Sequence, residues 1–308
     1  MPELPEVETL ARGLQREVAG RRVLSVELGK TEFMDNPAEI ERELPGTRIE
    51  RVERYGKFML LRLQRLVETE GVTRESALLV HLGMTGTMVP RPVGEPRAKH
   101  THLAALLDDE RELRYIDPRR FGRIAWLAGE ALSGELRRFG ADPLVISLEE
   151  FVQRIRGRKA RIKAMLLDQR VLRGVGNIYA DESLWKAKIH PARIGARLTL
   201  DEAKSLHGAL RQILEKAIVL RGSSISDFLD AEGEPGEYQL HHKAYGREGK
   251  ACYRCKTPIR RIIVAGRSSF FCPNCQKTPR GGKRFRRTKP VRRRGASKGA
   301  AKVALGMG

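Results

Sequence analysis

The sequence predicts an α+β multidomain protein in which an N-terminal helix precedes an antiparallel β-sandwich, followed by a helical block and a small β-hairpin unit organised by cysteines. Two observations predict this class. Apolar residues have helical spacing up to residue 18, alternate with a period of two from about 20 to 130, and return to helical spacing from about 134. All four cysteines of the 308-residue chain lie in two pairs near the C-terminus.

The first predicted element is an amphipathic helix over residues 3–18. Its apolar stripe consists of Val7, Leu10, Leu14 and Val18, at spacings of three and four. The opening MPELPEVETL holds three glutamates and no positive charge, although the chain has a formal net charge of +21. The helix dipole alone favours acidic residues in a first turn, so this pattern has an ordinary structural explanation.

The same stretch also has a chemical interpretation. Pro2 is compatible with removal of Met1, which exposes a secondary amine. An α-amino group has an ordinary pKa of about 8, so part of it is nucleophilic at neutral pH. Its attack on the anomeric carbon of a sugar gives an iminium ion, which is an electron sink. Glu3 can then transfer protons beside this amine, and Glu6, one helical turn on, can position Glu3.

Residues 20–130 are predicted to form several short strands. The segments are RRVLSVEL, TRIERVERYGKFMLLRL, SALLVHLGMTGTM and THLAALLDDERELRYIDPRRFGRIAWL, the last containing an Asp-Asp-Glu turn. Turn signals separate these segments, and no helix is expected between them. The sequence therefore predicts an antiparallel sandwich.

The helical block begins at about residue 134. Ser147 with Glu150, and Thr199 with Glu202, fit capping boxes. A long helix after Thr199 has an apolar stripe made of Leu206, Leu210, Ile213, Leu214 and Ala217. The stretch RGSSISDFLDAEGEPGEY that follows is rich in Gly, Ser and acids, and is predicted to be a mobile loop with a short helical turn at most.

The cysteines have the spacing C-x2-C-x16-C-x2-C, formed by Cys252, Cys255, Cys272 and Cys275. Two such pairs can close a tetrahedron around one ion while the residues between them form a β-hairpin. Because all four ligands come from the protein, the pattern predicts one structural Zn²⁺, with disulfide bonding as the alternative. Arg260, Arg261 and Arg267 give the hairpin a basic face suited to phosphate.

Charge indicates a polyanionic partner. The chain has 59 Lys plus Arg against 38 Asp plus Glu, and the tail from Gln276 to Gly308 contains 12 Lys or Arg and no acid, which leaves +9 for residues 1–275. A basic protein associated with the ribosome, or a merely soluble one, fits the charge equally well. The tail is predicted to be a disordered polyanion tether, or alternatively a solubility tail. No long apolar run and no export signal is present, so we expect no membrane span and a cytoplasmic location.

Six motifs in register give a more specific prediction. PELPEVE, Lys57 in RYGKFMLL, HLGMTG, DPRRFG, GVGNIYADESLW and the four-cysteine ribbon resemble the bacterial formamidopyrimidine-DNA glycosylase family over about residues 2–276. The resemblance implies a bifunctional DNA glycosylase and abasic-site lyase of base excision repair. By this resemblance it removes 8-oxoguanine and formamidopyrimidines from duplex DNA, acts as a monomer and associates with the bacterial nucleoid.

The resemblance also implies catalytic roles. Pro2 is the nucleophile at C1′ of the damaged nucleotide, and Glu3 is the acid/base. Lys57 is the second catalytic group, acting in β-elimination and holding phosphate. Arg267 lies against a phosphate and assists δ-elimination. For Lys57 the bland alternative is a surface lysine at a strand edge.

The implied DNA contacts form two groups. The wedge that fills the space left by a flipped base comprises Met84, Arg119 and Phe121, of which Met84 and Phe121 are alternatively ordinary core residues. The DNA-binding residues are His100, Arg119, Arg158, Lys163 and Asn177; of these, His100, Arg158 and Lys163 contact the DNA backbone, and Arg119 faces the orphaned partner base. Asn177 starts the second helix of a helix-two-turn-helix element, whose N-terminus is expected to accept a phosphate. Gly174 and Gly176 are expected to let the backbone approach DNA.

The implied domain division is a catalytic sandwich over 1–133, a helix-two-turn-helix domain over 134–221, a lesion-covering lid over 222–243, a zinc finger over 244–276 and a basic tail over 277–308. Two lid residues depart from the family pattern: Arg221 replaces an expected glycine, and Glu237 replaces a common aromatic. Both departures bear on lesion preference.

Two rival functions remain at this point. One is an oxidised-pyrimidine glycosylase/lyase of the sister subfamily, against which the PELPEVE opening and the full-length lid region argue. The other is a noncatalytic zinc-ribbon protein that binds nucleic acid, which predicts no dependence on Pro2 or Glu3.

Overall fold

A computed structural model describes residues 1–67, 72–224 and 234–277. Eleven strands and seven α-helices occur in these ranges. The N-terminal half contains α1 (Leu4–Val18), β1 (Val23–Leu28), β2 (Met34–Asp35), α2 (Pro37–Glu43), β3 (Arg48–Tyr55), β4 (Phe58–Val67), β5 (Val72–His81), β6 (Thr87–Pro92), β7 (Thr101–Leu107), β8 (Arg111–Ile116) and β9 (Arg123–Ala128). The remainder contains α3 (Gly129–Arg137), α4 (Leu148–Arg156), α5 (Ile162–Leu167), α6 (Asn177–Lys186), α7 (Leu200–Val219), β10 (Arg260–Val264) and β11 (Arg267–Phe271).

Two sheets form the predicted sandwich. Their strand orders are β1-β7-β8-β6 and β2-β9-β5-β4-β3, and all pairs are antiparallel except the two-residue pair of β2 with β9. The predicted stripe of α1 is confirmed: Val7, Leu10, Leu14 and Val18 are fully buried in the core that also takes in both sheets. Burial of that stripe fixes α1, and with it the start of the chain, against the sandwich.

The expectation that no helix interrupts residues 20–130 is wrong at one place. Helix α2 has only seven residues, starts with Pro37 at its first turn and buries a single apolar side chain, Ile40. One buried residue gives no helical period, so the pattern had no signal for it.

Helix α3 starts five residues before the predicted beginning of the helical block. Its Leu132 packs with Leu60 and Leu79 on the outer face of the five-stranded sheet. The other helices surround a second core, to which α1 contributes Leu4. The two cores therefore meet at the beginning of the chain.

The two predicted capping boxes differ. Thr199 and Glu202 exchange both hydrogen bonds, at 3.1 and 2.8 Å. Ser147 accepts from the Glu150 N–H at 3.1 Å, but the Glu150 carboxylate accepts instead from Arg154 at 2.8 Å. Because Glu150 pairs with Arg154, one helical turn on, its carboxylate does not accept from the Ser147 N–H and the capping box is incomplete.

The C-terminal unit docks on α6. The Glu182 carboxylate accepts hydrogen bonds from the backbone N–H groups of Lys243, Ala244 and Tyr245 at 2.8–3.0 Å. Asp181 accepts from Phe270 N–H of β11 at 2.9 Å. These bonds hold the β10–β11 hairpin against the helical block. Residues 225–233 of the predicted lid loop, and the basic tail from 278, lie outside the described residues.

Within the described ranges, no helix combines the length and the apolar content needed to cross a membrane.

Candidate active site

A cavity of about 770 Å³ opens where the sandwich, the helical block and the hairpin meet. It brings together seven of the sequence-predicted site residues: Pro2, Glu3, Glu6, Lys57, Met84, Asn177 and Arg267. These residues come from parts of the chain that are far apart in sequence. Their convergence identifies this cavity as the candidate active site.

Glu3 is held at the amino end of α6. Its carboxylate accepts from the backbone N–H of Ile178 at 3.0 Å and of Tyr179 at 3.4 Å, and its own N–H donates to Glu6 at 2.8 Å. A Cβ added at Gly176 would collide with the Glu3 carboxyl group. The anion at this helix terminus is therefore Glu3, because the positive end of the helix dipole favours a carboxylate there as well as a phosphate.

This arrangement corrects two expectations. The α6 terminus was expected to accept a DNA phosphate, and Gly174 and Gly176 to let DNA approach. Instead, Gly174 lies against Leu4, whose N–H donates to its carbonyl at 3.0 Å, and Gly176 makes room for Glu3. Both glycines fit the helical block around the beginning of the chain.

Glu6 is buried behind Glu3. Its carboxylate accepts from the Tyr179 hydroxyl and from the Ser223 N–H, the latter at 2.7 Å. Burial, reinforced by the charge of Glu3, raises the pKa of Glu6 to about 7, although these hydrogen bonds favour the ionised form. Glu6 can therefore hold or release a proton near neutral pH. It is in direct contact with the acid/base candidate Glu3, whose N–H donates to its carboxylate.

Lys57 lies in the turn between β3 and β4 and is 9% exposed. Burial lowers the pKa of its ammonium group; Glu3 opposes this shift and Arg267 adds to it. No hydrogen bond or ion pair joins Lys57 to another described residue. A lysine with a lowered pKa and no fixed partner is suited to proton transfer or to binding an incoming phosphate. The alternative of a surface lysine at a strand edge does not fit this burial.

The predicted wedge residues are exposed on two packed loops. Met84 is 41% and Phe121 56% exposed, and the Arg119 guanidinium lies 4.5 Å from the centre of the Phe121 ring. Buried Asp117 organises the second loop by accepting from the Gly122 N–H at 3.0 Å. Exposed apolar side chains on anchored loops do not fit the alternative that they belong to a core.

Gly83 explains how closely the two wedge loops approach. It has φ of +63°, and a Cβ added there would collide with the backbone of Phe121. Only glycine adopts this conformation without strain and without a side chain between the loops.

The residues predicted to contact the DNA backbone differ in exposure. Arg158 is exposed and lies 3.9 Å from Asp168, and His100 is partly buried beside His102. Lys163 is fully buried: its ammonium forms an ion pair with Asp181 at 2.7 Å and donates to the Ser268 carbonyl at 2.7 Å. The placement of Lys163 does not suit the predicted contact with DNA, because its donors are directed to groups inside the protein.

Arg267 is exposed at the start of β11 and reaches the cavity. Of the other two hairpin arginines, Arg260 is exposed, whereas Arg261 forms an ion pair with Glu248 at 2.8 Å. The basic face of the hairpin is thus narrower than the sequence indicated.

The four cysteines fit a zinc ion. Their sulfur atoms lie within 4.8 Å of one another, and no pair is disulfide-bonded. The separations from Cys255 to Cys272 and to Cys275 are both 3.4 Å, close to the value of about 3.8 Å that four Zn–S bonds of about 2.3 Å impose. Four protein ligands leave no position for a reactive water, so the site is structural.

Several residues of the site were given no role on the basis of the sequence. Tyr179 and Ser223 hold Glu6, and Asp181 and Glu182 hold the hairpin. Tyr179, Asp181 and Glu182 fall inside the motif GVGNIYADESLW, but a motif does not indicate which of its members face inward. The partners that would have identified these residues are far away in the chain; Ser223, for example, is 217 residues from Glu6.

The fold and the site together define a class: a helix-two-turn-helix protein with a zinc ribbon and a cavity lined by the amino terminus of the chain. Family models match in the corresponding order: the formamidopyrimidine-DNA glycosylase N-terminal domain over residues 1–124, its H2TH domain over 139–229, and the zinc finger found in FPG and IleRS over 249–278. The chain belongs to the formamidopyrimidine-DNA glycosylase family.

Individual relatives agree with this assignment. The formamidopyrimidine-DNA glycosylase of Solibacter usitatus is 43% identical over 279 residues, covering 90% of this chain and 100% of that relative. The structure of Lactococcus lactis Fpg in complex with DNA containing an abasic site has a TM-score of 0.79 and 32% identity, covering 90% of this chain and 100% of the other. The MutM (Fpg) protein from Thermus thermophilus has a TM-score of 0.76 and 38% identity, covering 89% and 98%.

Proposed function

We propose that this protein removes oxidised purines, 8-oxoguanine and formamidopyrimidines, from duplex DNA and then cleaves the strand as an abasic-site lyase. The observation that carries the proposal is the convergence of Pro2, Glu3, Lys57 and Arg267 on one cavity. An amine nucleophile, a buried carboxylate and two cations are the groups that glycosidic cleavage followed by elimination requires.

Base excision begins at Pro2. Once Met1 is removed, the proline nitrogen attacks C1′ of the damaged nucleotide, and the C1′–N9 bond breaks. The base leaves with the bonding electron pair and takes up a proton. After the sugar ring has opened, C1′ and the proline nitrogen form an iminium ion. Glu3 is the acid/base for ring opening, since its carboxylate lies next to Pro2 and is fixed by α6.

Strand cleavage follows from the iminium ion. It makes the C2′ proton acidic; loss of that proton expels the 3′ phosphate by β-elimination. Loss of the C4′ proton then expels the 5′ phosphate by δ-elimination. We assign Lys57 to the first elimination and to holding phosphate, and Arg267 to the phosphate that leaves in the second.

DNA binding is assigned to exposed basic and apolar groups. Met84, Arg119 and Phe121 occupy the gap left by the flipped nucleotide, which offsets the cost of unstacking. Arg158 and His100 contact the DNA backbone. The structure of the relative from Lactococcus lactis is a complex with DNA containing an abasic site, which supports damaged DNA as the partner. We propose that the protein acts as a monomer in the cytoplasm, at the nucleoid.

The domain division of the sequence analysis is retained as a proposal. The ends of the matched family domains, at residues 124, 229 and 278, lie close to its boundaries at 133, 221 and 276. The packing of α3 against the sandwich favours placing the first boundary after residue 137.

Borohydride trapping tests the proposed function. The substrate is a duplex carrying one 8-oxoguanine opposite cytosine, and intact mass establishes that Met1 is absent. We expect a covalent adduct with the wild type and none with Pro2→Gly, while Glu3→Gln traps at least about a hundredfold more slowly. No adduct from a correctly processed protein that binds the duplex tightly would contradict the proposal. A duplex with an oxidised pyrimidine would then distinguish the sister activity from simple DNA binding.

A further inference from the structure

Asp142 lies at the junction between the sandwich and the helical block and contacts an arginine from each. Arg54 of β3 donates to Oδ2 of Asp142 at 2.7 Å, and the Arg173 Nε lies 3.6 Å from the same oxygen. Arg54 also donates to Glu8 of α1 at 2.6 Å. These four residues, two arginines and two carboxylates, form a largely buried cluster, here called the Asp142 clamp.

The clamp is adjacent to the turn that carries Lys57. The Arg173 guanidinium lies 4.3 Å from the centre of the Tyr55 ring. A Cβ added at Gly56 would lie 3.0 Å from the Arg173 Cβ, so the turn packs directly on this arginine. Arg54, Tyr55, Gly56 and Lys57 are consecutive, and three of them are therefore in contact with or part of the clamp.

The same segment of the helical block contacts the other side of the cavity. Gly174 follows Arg173, and its carbonyl accepts from the Leu4 N–H at 3.0 Å. Arg173 is itself fixed by donating from Nη1 to the Gly140 carbonyl at 2.8 Å. Residues 173 and 174 consequently lie between the Lys57 turn and the start of α1, which carries Glu3.

Lys57 depends on this support. Because it has no hydrogen bond or ion pair with another described residue, its position is set by the turn. The clamp in turn depends on Asp142. Arg54 Nη1 and Arg173 Nε are buried without a hydrogen-bond partner among the described residues. Removing the Asp142 charge therefore leaves Arg54 with Glu8 alone, and leaves Arg173 without its carboxylate.

We propose that Asp142, through Arg54 and Arg173, is a positioning residue that fixes Lys57 relative to Pro2 and Glu3. This inference rests on the proposed function for the role of Lys57. If the role of Asp142 were only structural, its substitution would lower the stability of the protein but would leave the environment of Lys57 unchanged.

A double-mutant cycle tests the proposal with an abasic-site duplex, under single-turnover conditions with saturating protein. We expect Asp142→Asn to lower the rate constant for strand cleavage about tenfold to a hundredfold. In a Lys57→Met background, the same substitution should change the rate less than about twofold, because its effect acts through Lys57. A wild-type rate for Asp142→Asn, or losses that multiply in the double variant, would overturn the proposal.

The sandwich offers a matched control. Glu112 is also a buried carboxylate between two arginines, Arg97 at 2.5 Å and Arg114 at 2.7 Å, but it lies in the four-stranded sheet, away from the cavity. Glu112→Gln should lower stability as Asp142→Asn does and leave the saturated cleavage rate within about twofold of the wild type. An equal loss of rate in both variants would mean that destabilisation, not positioning, is responsible.

A second readout does not require activity. Reductive methylation with a ¹³C label gives Lys57 an NMR resonance, identified by its absence in Lys57→Met. Asp142→Asn should shift this resonance and Glu112→Gln should not. If the wild type fails to cleave but the resonance shifts, the proposed function is wrong and the positioning role stands. If neither the resonance nor the rate responds to Asp142→Asn, the positioning role is wrong.

Discussion

At the scale of single residues, the cavity separates two carboxyl groups by environment. Glu3 is held by N–H donors of α6, whereas Glu6 is enclosed by Tyr179 and Ser223 and has its pKa raised to about 7 by burial. Two carboxyl groups that share a site but have different hydrogen-bond partners can take different roles. We assign proton transfer to the substrate to Glu3. Glu6, which lies behind Glu3, is assigned a supporting role, because its charge changes near neutral pH.

The raised pKa of Glu6 has a consequence for stability. The folded protein binds the Glu6 proton up to about pH 7, whereas the unfolded chain releases it near the ordinary value of 4.5. Stability contributed by this group is therefore complete below about pH 4.5 and is lost as pH rises to about 7. A shift of this size corresponds to about 3 kcal/mol.

Urea unfolding of wild type and Glu6→Gln from pH 5 to 8 measures this effect. As pH rises, the unfolding free energy of the wild type should fall relative to that of Glu6→Gln, because only the wild type loses the Glu6 proton. Other titrating groups, including Asp181, whose pKa is also raised to about 7 by burial, cancel in the difference. A difference independent of pH would show that Glu6 titrates at its ordinary value in the folded protein.

At the scale of elements, the hairpin is the part that depends most on the bound ion. Its contacts with α6 run through Asp181 and Glu182, and the Arg254 guanidinium stacks 3.9 Å from the centre of the Trp185 ring while donating to the Trp185 carbonyl. The sandwich core contains none of these residues. Zinc bound by the four cysteines would therefore support the hairpin that carries Arg267, and not the sandwich core.

Removal of zinc should accordingly weaken DNA binding before it unfolds the protein. We expect Cys272→Ser, or chelation, to lower affinity for an abasic-site duplex about tenfold or more, since phosphate contacts from the hairpin are lost. Ile263→Ser, on the same hairpin but with all four thiolates intact, is the control. Zinc content, duplex affinity and sandwich unfolding would be measured together; unchanged affinity in metal-free protein would contradict this role.

Elements also show what the sequence could predict. The predictions of helix α1 and of the four-cysteine cluster were correct, because each pattern lies within a short stretch of the sequence. Lys163 was misjudged because its partner carbonyl, on Ser268, is 105 residues away, and nothing local marks a lysine as buried. The Asp142 clamp was missed for the same reason, since Arg54 and Asp142 are 88 residues apart. Motifs identified which residues matter, but not the contacts that orient them.

At the scale of the whole molecule, the dominant property is charge. The formal net charge is +21 for the full chain and +9 for residues 1–275, so the tail from Gln276 to Gly308 carries more than half of it. We expect a body of +9 to bind duplex DNA without the tail, because the specific contacts are assigned to the cavity and the wedge loops. The tail adds cations that can neutralise phosphates without reference to a lesion.

Deleting residues 277–308 should therefore change nonspecific binding and leave catalysis intact. With 12 cations removed, the slope of log K against log salt concentration for undamaged duplex should become less negative, by at most about 11 if every cation neutralises one phosphate. The single-turnover rate on an 8-oxoguanine duplex should stay within about twofold of the full chain, because no described residue of the cavity belongs to the tail. A tail of equal length with its Lys and Arg replaced by Ser separates charge from chain length. If the full chain, the deletion and the neutral tail gave the same salt slope, the tail would not act as a tether for DNA.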